Sequence, residues 1–330
     1  MTIGGFLFAE SLIGPERLTA RRVVDRLQNI HGTHSGFRRN HAKGVAVEGY
    51  FESNGNGTQL CAASVFRTGR YSVRGRFSLS GGNPHIAEDP GIVRGLGLQV
   101  GLPAGEQWRM AMINLPVFLD PTPQDFHDRG LAFASDPATG KPNPRLVSDY
   151  LATHPRTAAA MKIAKSVAPA PTFATTTFHG LNAFEFTDPD GTTIPVRWKL
   201  VPETESIPGD DPRPASLFTQ LTNDIRQSPC RWTMMVTKGV RGQDRTDDAS
   251  VPWPSTRPTV NVGTLVLTGI ATETSDNVRT VNFDPLVLPN GIAPSDDPLL
   301  SARSAVYAES FRRRAGEPDN RGSVETEGRA

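Results

Sequence analysis

Between residues 44 and 270 the chain repeatedly alternates apolar side chains with small or polar ones over strand-length runs. This two-residue period is its strongest constraint on fold. The runs are residues 45–50, 60–66, 71–80, 92–100, 108–115, 178–187, 193–201, 232–238 and 259–270. Turn chemistry separates them: Asn54-Gly55-Asn56-Gly57 reads as a hairpin connection and Asp188-Pro189-Asp190-Gly191 as a tight turn. With 31 glycines and 28 prolines among 330 residues, about half as many again as an average chain carries, a helical bundle is disfavoured. Eight or nine strands in mostly antiparallel order predict a β-barrel with helices added at one end.

The helical period appears where the strands pause. Val23, Val24, Leu27 and Ile30 recur at helical spacing behind a possible Thr19 cap. Two short helices are expected before the second strand block, one ending near Thr153 and one over residues 156–166, with His154-Pro155 as the break. Leu217, Leu221 and Ile225 outline a further helix, and Asp297 as cap with Pro298 at the first position opens the last, over residues 299–313. No proline-rich linker divides the strands, so residues 1–315 read as one domain. Residues 316–330 are polar and poor in apolar side chains, and a disordered tail is expected there.

Composition narrows the partners. Lys and Arg number 35 against 34 Asp and Glu, which gives no long-range attraction to nucleic acid or anionic lipid. No run of 18 apolar residues offers a membrane span. The apolar patch around Phe6 and Phe8 has no basic region before it, so no secretory signal is expected. The expected compartment is the cytoplasm, with the periplasm as alternative. Cys61 and Cys230, far apart and without metal-type spacing, read as two buried free thiols, with a single long-range disulfide as the less favoured alternative.

Few residues remain as candidates for chemistry. Tyr307 has Arg303 four residues before it and Arg314 seven after, which at 100° per residue puts all three within about 40° on one helical face. An arginine one turn from a phenol favours the phenolate, a hard ligand suited to ferric iron; a surface helix with a basic stripe is the plainer reading. His41, at the mouth of the first strand, is placed to pass a proton, although a lone histidine is more often structural. His31 and His34 have metal-like spacing but no matching partners, and read as capping or surface residues. Arg76 and Ser78 share one face of a strand, and Asn114 ends a later one.

Taken in order, these residues resemble a known family. His41-Ala42-Lys43-Gly44 after Arg38, Arg76-Phe77-Ser78, Asn114 before Pro116-Val117-Phe118, and Arg303 four residues before Tyr307 are similar in order and spacing to the haem catalase superfamily. Phe178-His179-Gly180-Leu181-Asn182-Ala183-Phe184 and Val196-Arg197-Trp198-Lys199 resemble its later barrel strands. Ser295-Asp296-Asp297-Pro298-Leu299-Leu300 and Ser310-Phe311-Arg312-Arg313-Arg314 resemble its short branch, the catalase-related peroxidases. The likeness runs from about residue 19 to 314.

The resemblance implies an α+β fold: a catalase-like antiparallel eight-stranded barrel with added helices, the C-terminal one carrying the proximal haem ligand. It implies non-covalent haem b with iron on Tyr307, as catalases use tyrosine, and Arg303 holding that phenol ionised. Arg38, Arg76 and Arg314 would pair with the propionates, and Phe126 would stack on the ring. His41 would be the distal acid–base, Asn114 the amide that orients peroxide, and Ser78 the hydroxyl that fixes the imidazole tautomer. The expected activity is reduction of hydrogen peroxide or organic hydroperoxides by a small-molecule reductant, in defence against oxidative stress. A true catalase, a fatty-acid hydroperoxide isomerase and, in a different class, a non-catalytic haem carrier or sensor are the alternatives. Only the core of the large catalases is present, so no NADPH is expected; a homodimer is possible. Asn40 and Ser80 stand where large catalases have apolar residues, which shifts the expectation towards peroxidase.

Overall fold

The computed structural model describes residues 18–89, 91–136, 139–204, 216–318 and 322–326. Helix α1 (Ala20–His31) precedes strands β1 (Gly44–Ser53), β2 (Gly69–Leu79), β3 (Arg94–Gly101) and β4 (Gln107–Ile113). Helices α2 (Pro123–Ala132), α3 (Pro144–Thr153) and α4 (Pro155–Ser166) follow. Then come β5 (Phe178–His179), β6 (Phe184–Thr187), β7 (Thr193–Pro202), α5 (Leu217–Gln227), β8 (Cys230–Lys238), β9 (Thr259–Ala271), β10 (Ile292–Pro294) and α6 (Pro298–Ala315). Every strand pairing is antiparallel, and the order β7-β5-β4-β3-β2-β1-β9-β8 closes because β8 returns to β7. This is the eight-stranded barrel that the alternation and the resemblance predict. Strand β6 continues β5 along β7 and carries β10 on its other side.

Alternation decides what fills the barrel. On β4 the buried residues are Trp108, Met110 and Met112; on β8 they are Cys230, Trp232, Met234 and Val236. Trp108, Trp232, Phe66, Phe77, Phe178, Phe184 and Phe186 are all fully buried. Phe77 touches Phe173, Phe178 and Trp232 with ring centroids 5.1–5.8 Å apart, and Trp108 meets Trp198 edge-on at 5.1 Å. The interior is a packed aromatic core, not a lumen.

Three expectations change in detail. Residues 60–66 are not a strand. Leu60, Cys61, Val65 and Phe66 are buried in coil and a short 3₁₀ turn, and Phe66 reaches Trp108 and Phe186. Their apolar character serves a plug that folds back into the barrel. Gly57 permits the return, since a Cβ there would lie 2.4 Å from the Phe66 ring. The β1–β2 hairpin exists, with Ser53 opposite Gly69, but its connection runs from 54 to 68. The expected single strand over 178–187 is broken between His179 and Phe184, where Leu181 adopts φ of 66°.

Helix starts follow their caps. Thr19 accepts from the Arg22 N–H, and the Asp297 carboxylate from the Leu299 N–H at 2.8 Å. Helix α2 was not anticipated, although Thr122 as cap and Pro123 at the first position signal it. Within the stretch expected to be a disordered tail, residues 316–318 and 322–326 are placed. Glu317 pairs with Arg39, Ser323 accepts from the Gly44 N–H, and Thr326 exchanges two hydrogen bonds with Thr272. Polar residues dock here by hydrogen bonding to backbone, which composition does not reveal. Cys61 and Cys230 are buried free thiols, and burial pushes their pKa values up to about 11 and about 12.

Phe77→Ala should cost about 3–5 kcal/mol in urea unfolding, because the three rings packed around it leave little room for collapse. A loss below about 1 kcal/mol would contradict a filled barrel.

Candidate active site

Since the barrel is full, any ligand must sit outside it, and the strand period chooses the residues on that outer face. On β2, Val73, Phe77 and Leu79 turn inward, which turns Arg76 and Ser78 outward. On β3 and β4 the same alternation presents Gly95, Gly97, Ala111 and Ile113 outward. Helix α6 supplies the facing wall through Leu299, Ala302, Arg303, Val306, Tyr307, Ser310 and Arg314, spaced three or four residues apart. One cavity lies between, completed by Val23 and Leu27 of α1, by Phe118, Phe126 and Phe283, and by Arg38–His41 of the α1–β1 loop. The two glycines of β3 keep its wall flat: a Cβ on Gly97 would lie 2.8 Å from Phe283, and one on Gly95 would lie 2.8 Å from His41 Nδ1.

His41 sits at the barrel wall in a backbone conformation that non-glycine residues rarely adopt, φ of 55°. Hydrogen bonds on both sides of the peptide hold it there. Its N–H donates to Asn40 Oδ1 at 3.0 Å, and its carbonyl accepts from Arg76 Nη1 at 2.8 Å. Its ring Nδ1 lies 3.1 Å from Ser78 Oγ, whose own hydroxyl reaches the Gly95 carbonyl at 3.5 Å. With the serine proton directed to that carbonyl, Ser78 accepts from Nδ1–H, which leaves Nε2 as a free base. Burial, then the charges of Arg76, Arg303 and Arg38, lower the His41 pKa to about 3, so the ring is neutral at neutral pH.

Three arginines converge at one edge of the cavity. Arg38 Nη1 donates to Glu273 Oε1 at 2.5 Å and Arg76 Nε to Glu273 Oε2 at 2.7 Å. Arg38 and Arg314 both donate to the Val281 carbonyl, at 3.1 Å each. Burial would raise the Glu273 pKa, but Arg76 and Arg38 outweigh it and hold the carboxyl at about 2. Burial and then the neighbouring Arg38 press the Arg314 pKa down to about 8. Three guanidiniums against one carboxylate leave a net charge of +2 at this edge when all are ionised.

On the helix side, Tyr307 lines the cavity and packs beside Ala46, Val278, Val281 and Phe283. The Arg303 guanidinium stands 5.9 Å from the centre of its ring, donates to the Ala111 carbonyl at 2.9 Å, and is hydrogen bonded to Asn182 Oδ1. Asn182 is buried in the β5–β6 break, and its amide donates to the α6 cap Asp297 at 2.8 Å. The interruption of that strand thus delivers an amide that ties Arg303 to the start of its own helix.

The cavity wall gathers His41, Ser78, Arg38, Arg76, Phe126, Arg303, Arg314 and Tyr307. Asn114 is not on it. It follows Ile113, which is, and its Oδ1 accepts from the Arg94 N–H at 2.9 Å, leaving the amide donors for other use. Ser80 also lies off the wall, whereas Asn40 is on it. His31 and His34 do serve the end of α1, His34 Nε2 lying 3.0 Å from the His31 carbonyl. Sequence reasoning missed Glu273, Asn182 and Arg39. Their partners lie 197, 121 and 278 residues away, and no local pattern marks such pairs.

A closed eight-stranded antiparallel barrel with a C-terminal helix packed over one outer face defines a catalase-type fold. The catalase family model matches residues 11–321. The chain is 36% identical over 302 residues to the catalase-related peroxidase of Synechococcus elongatus, covering 90% of this chain and 89% of that protein. It is 33% identical over 306 residues to that of Mycolicibacterium paratuberculosis, covering 91% and 96%. Catalase A from Saccharomyces cerevisiae shares the fold with a TM-score of 0.74 at 21% identity, over 92% of this chain and 66% of that one. The chain therefore belongs to the catalase family, which is a family of haem proteins.

Glu273 should carry a visible acid dependence. Its pKa of about 2 when folded lies below the ordinary 4.5, so its stabilisation is complete above pH 4.5 and is lost as the pH falls towards 2. The difference corresponds to about 3 kcal/mol. Glu273→Gln should lose roughly that stability at pH 7 and flatten the acid limb of the urea-unfolding profile. An unchanged limb would show that the two arginines do not hold the carboxylate.

Proposed function

We propose that this chain is a haem-dependent peroxidase that reduces hydrogen peroxide or organic hydroperoxides with an external small-molecule donor. The observation that carries the reading is the neutral, serine-tethered imidazole of His41 on one wall of a cavity whose opposite wall presents Tyr307. The residues fit haem b. Tyr307 would hold the iron, with the Arg303 guanidinium 5.9 Å from the centre of its ring. The +2 edge of Arg38, Arg76, Arg314 and Glu273 matches the two carboxylates of a haem. Phe126 and Phe283 line the same cavity and offer apolar ring contact.

When bound, haem supplies a redox metal centre at which the peroxide O–O bond breaks and which is then reduced one electron at a time. The protein's part is proton handling. Nε2 of His41 takes the proton of the peroxide and returns it to the leaving oxygen, while Ser78 holds the tautomer that keeps Nε2 free. For Asn114, which lies off the wall with its Oδ1 engaged by the Arg94 N–H, the role of orienting the peroxide rests on the family resemblance. A haem carrier has no need of such a tethered base.

Asn40 favours peroxidase over true catalase, because it places a polar side chain on the cavity wall beside His41. Ser80 adds nothing to that argument from its position off the wall. The haem is held without thioether links, since Cys61 and Cys230 are buried in the core. The reading includes no bound NADPH, a homodimer as the assembly, and a cytoplasmic location with the periplasm as alternative.

Spectra, turnover and stopped-flow rates test this function. Haem-supplemented wild type should show a Soret band and oxidise a dye with peroxide faster than it evolves oxygen; oxygen evolution without dye oxidation would make it a catalase. Tyr307→Phe should lose or sharply alter the Soret band. His41→Ala should keep it and react with peroxide about 100-fold or more slowly, the range for loss of a general acid–base group, with Asn114→Ala less affected. Stopped-flow reaction of His41→Ala at the wild-type rate would remove His41 from the chemistry.

A further inference from the structure

The loop from Gly36 to Lys43 carries Arg38 and His41, and both of its ends are tied to the C-terminal segment. At the first end, Glu317 Oε2 accepts from the Gly36 N–H at 2.6 Å and from Arg39 Nη1 at 3.0 Å, while its other oxygen pairs with Arg39 Nη2. At the second end, Ser323 Oγ accepts from the Gly44 N–H at 3.0 Å and lies 3.5 Å from the Ala42 carbonyl. Arg39 is 3% exposed at its side chain, so Glu317 neutralises a charge that has almost no access to water. The Arg39 N–H is further anchored on Ser310, one turn beyond Tyr307 in α6. Between these anchors His41 keeps its left-handed backbone, a conformation that costs free energy and persists only where the surroundings fix it.

The segment that supplies the anchors is itself well held. Thr326, 6% exposed, exchanges hydrogen bonds with Thr272 beyond the end of β9, and its carbonyl accepts from Arg226 of α5 at 2.7 Å. Val324 packs against the barrel core. Thr272 adjoins Glu273, the carboxylate that grips Arg38 and Arg76, so the two restraints on the loop meet at one place.

We propose that the C-terminal segment is a positioning clamp for the distal loop, in which Glu317 and Ser323 hold His41 in register with Ser78 without touching the reacting atoms. This rests on the assignment of His41 as proton carrier. The role goes beyond general stability because Glu317 and Ser323 bond at the two ends of the loop that carries Arg38 and His41, the second at its junction with β1.

The test compares haem-reconstituted wild type with Glu317→Gln and, as a milder variant that removes one hydrogen bond, Ser323→Ala. Hydrogen exchange read by mass spectrometry should rise about tenfold or more over residues 36–44 in Glu317→Gln, and less in Ser323→Ala, with β8 amides unchanged. The rate of reaction with peroxide should fall about tenfold in Glu317→Gln, while haem content, Soret position and KM for the dye stay at wild-type values. Unchanged exchange over 36–44 overturns the clamp. So does faster loop exchange with an unchanged peroxide rate when His41→Ala, run beside it, is slow. If His41→Ala itself reacts at the wild-type rate, the assignment of His41 has failed, and loop exchange alone then decides whether the clamp exists.

Discussion

The filled barrel is the constraint on which the rest of this structure depends. Tryptophan and phenylalanine side chains occupy the space that an eight-stranded barrel of this size encloses, so the strands offer no lumen to a ligand. The working surface is forced to the outside, and the same alternation that sends Phe77 inward sends Arg76 and Ser78 outward. Core and site are therefore not independent. A one-residue slip of β2 against β1, where Ala46 now faces Arg76, would turn the arginine into the barrel and the phenylalanine out of it.

The outer cavity is organised by positive charge. Burying Arg38, Arg76 and Arg314 together is unfavourable, as the lowered pKa of Arg314 expresses, and Glu273 offsets only part of it. An anionic ligand at this edge relieves the remainder, which makes binding and local stability two aspects of one balance. The same field, added to burial, keeps His41 uncharged. A proton acceptor placed among arginines stays empty until something acidic approaches it.

How much of this was readable in advance follows from the range of each interaction. Strand period, the Thr19 and Asp297 caps and the three-to-four spacing of Arg303 and Tyr307 are local, and they are visible in the sequence. The order of motifs carried the family and with it the positions of His41 and Ser78. Residues 60–66 show the limit of local reading: an apolar run with strand-like composition became a plug, because the barrel needed Phe66 in its interior more than another strand at its edge. The buried polar pairs lay beyond reach. Glu273, Asn182 and Glu317 are ordinary residues in sequence and acquire meaning only from partners more than a hundred positions away. Composition is equally silent on residues 316–318 and 322–326, whose hold on the barrel comes from serine, threonine and glutamate bonding to backbone and to one buried arginine.

The two buried cysteines have a consequence for a protein that handles oxidants. Peroxides oxidise the thiolate, not the thiol, and pKa values of about 11 and about 12 leave fewer than about one thiolate in a thousand at neutral pH. Cys61 lies under the Gly291 carbonyl at 3.2 Å, and Cys230 faces inward on β8. Neither sulfur offers the exposed, ionised form from which sulfenic acid begins. The fold keeps both thiols inert towards peroxide.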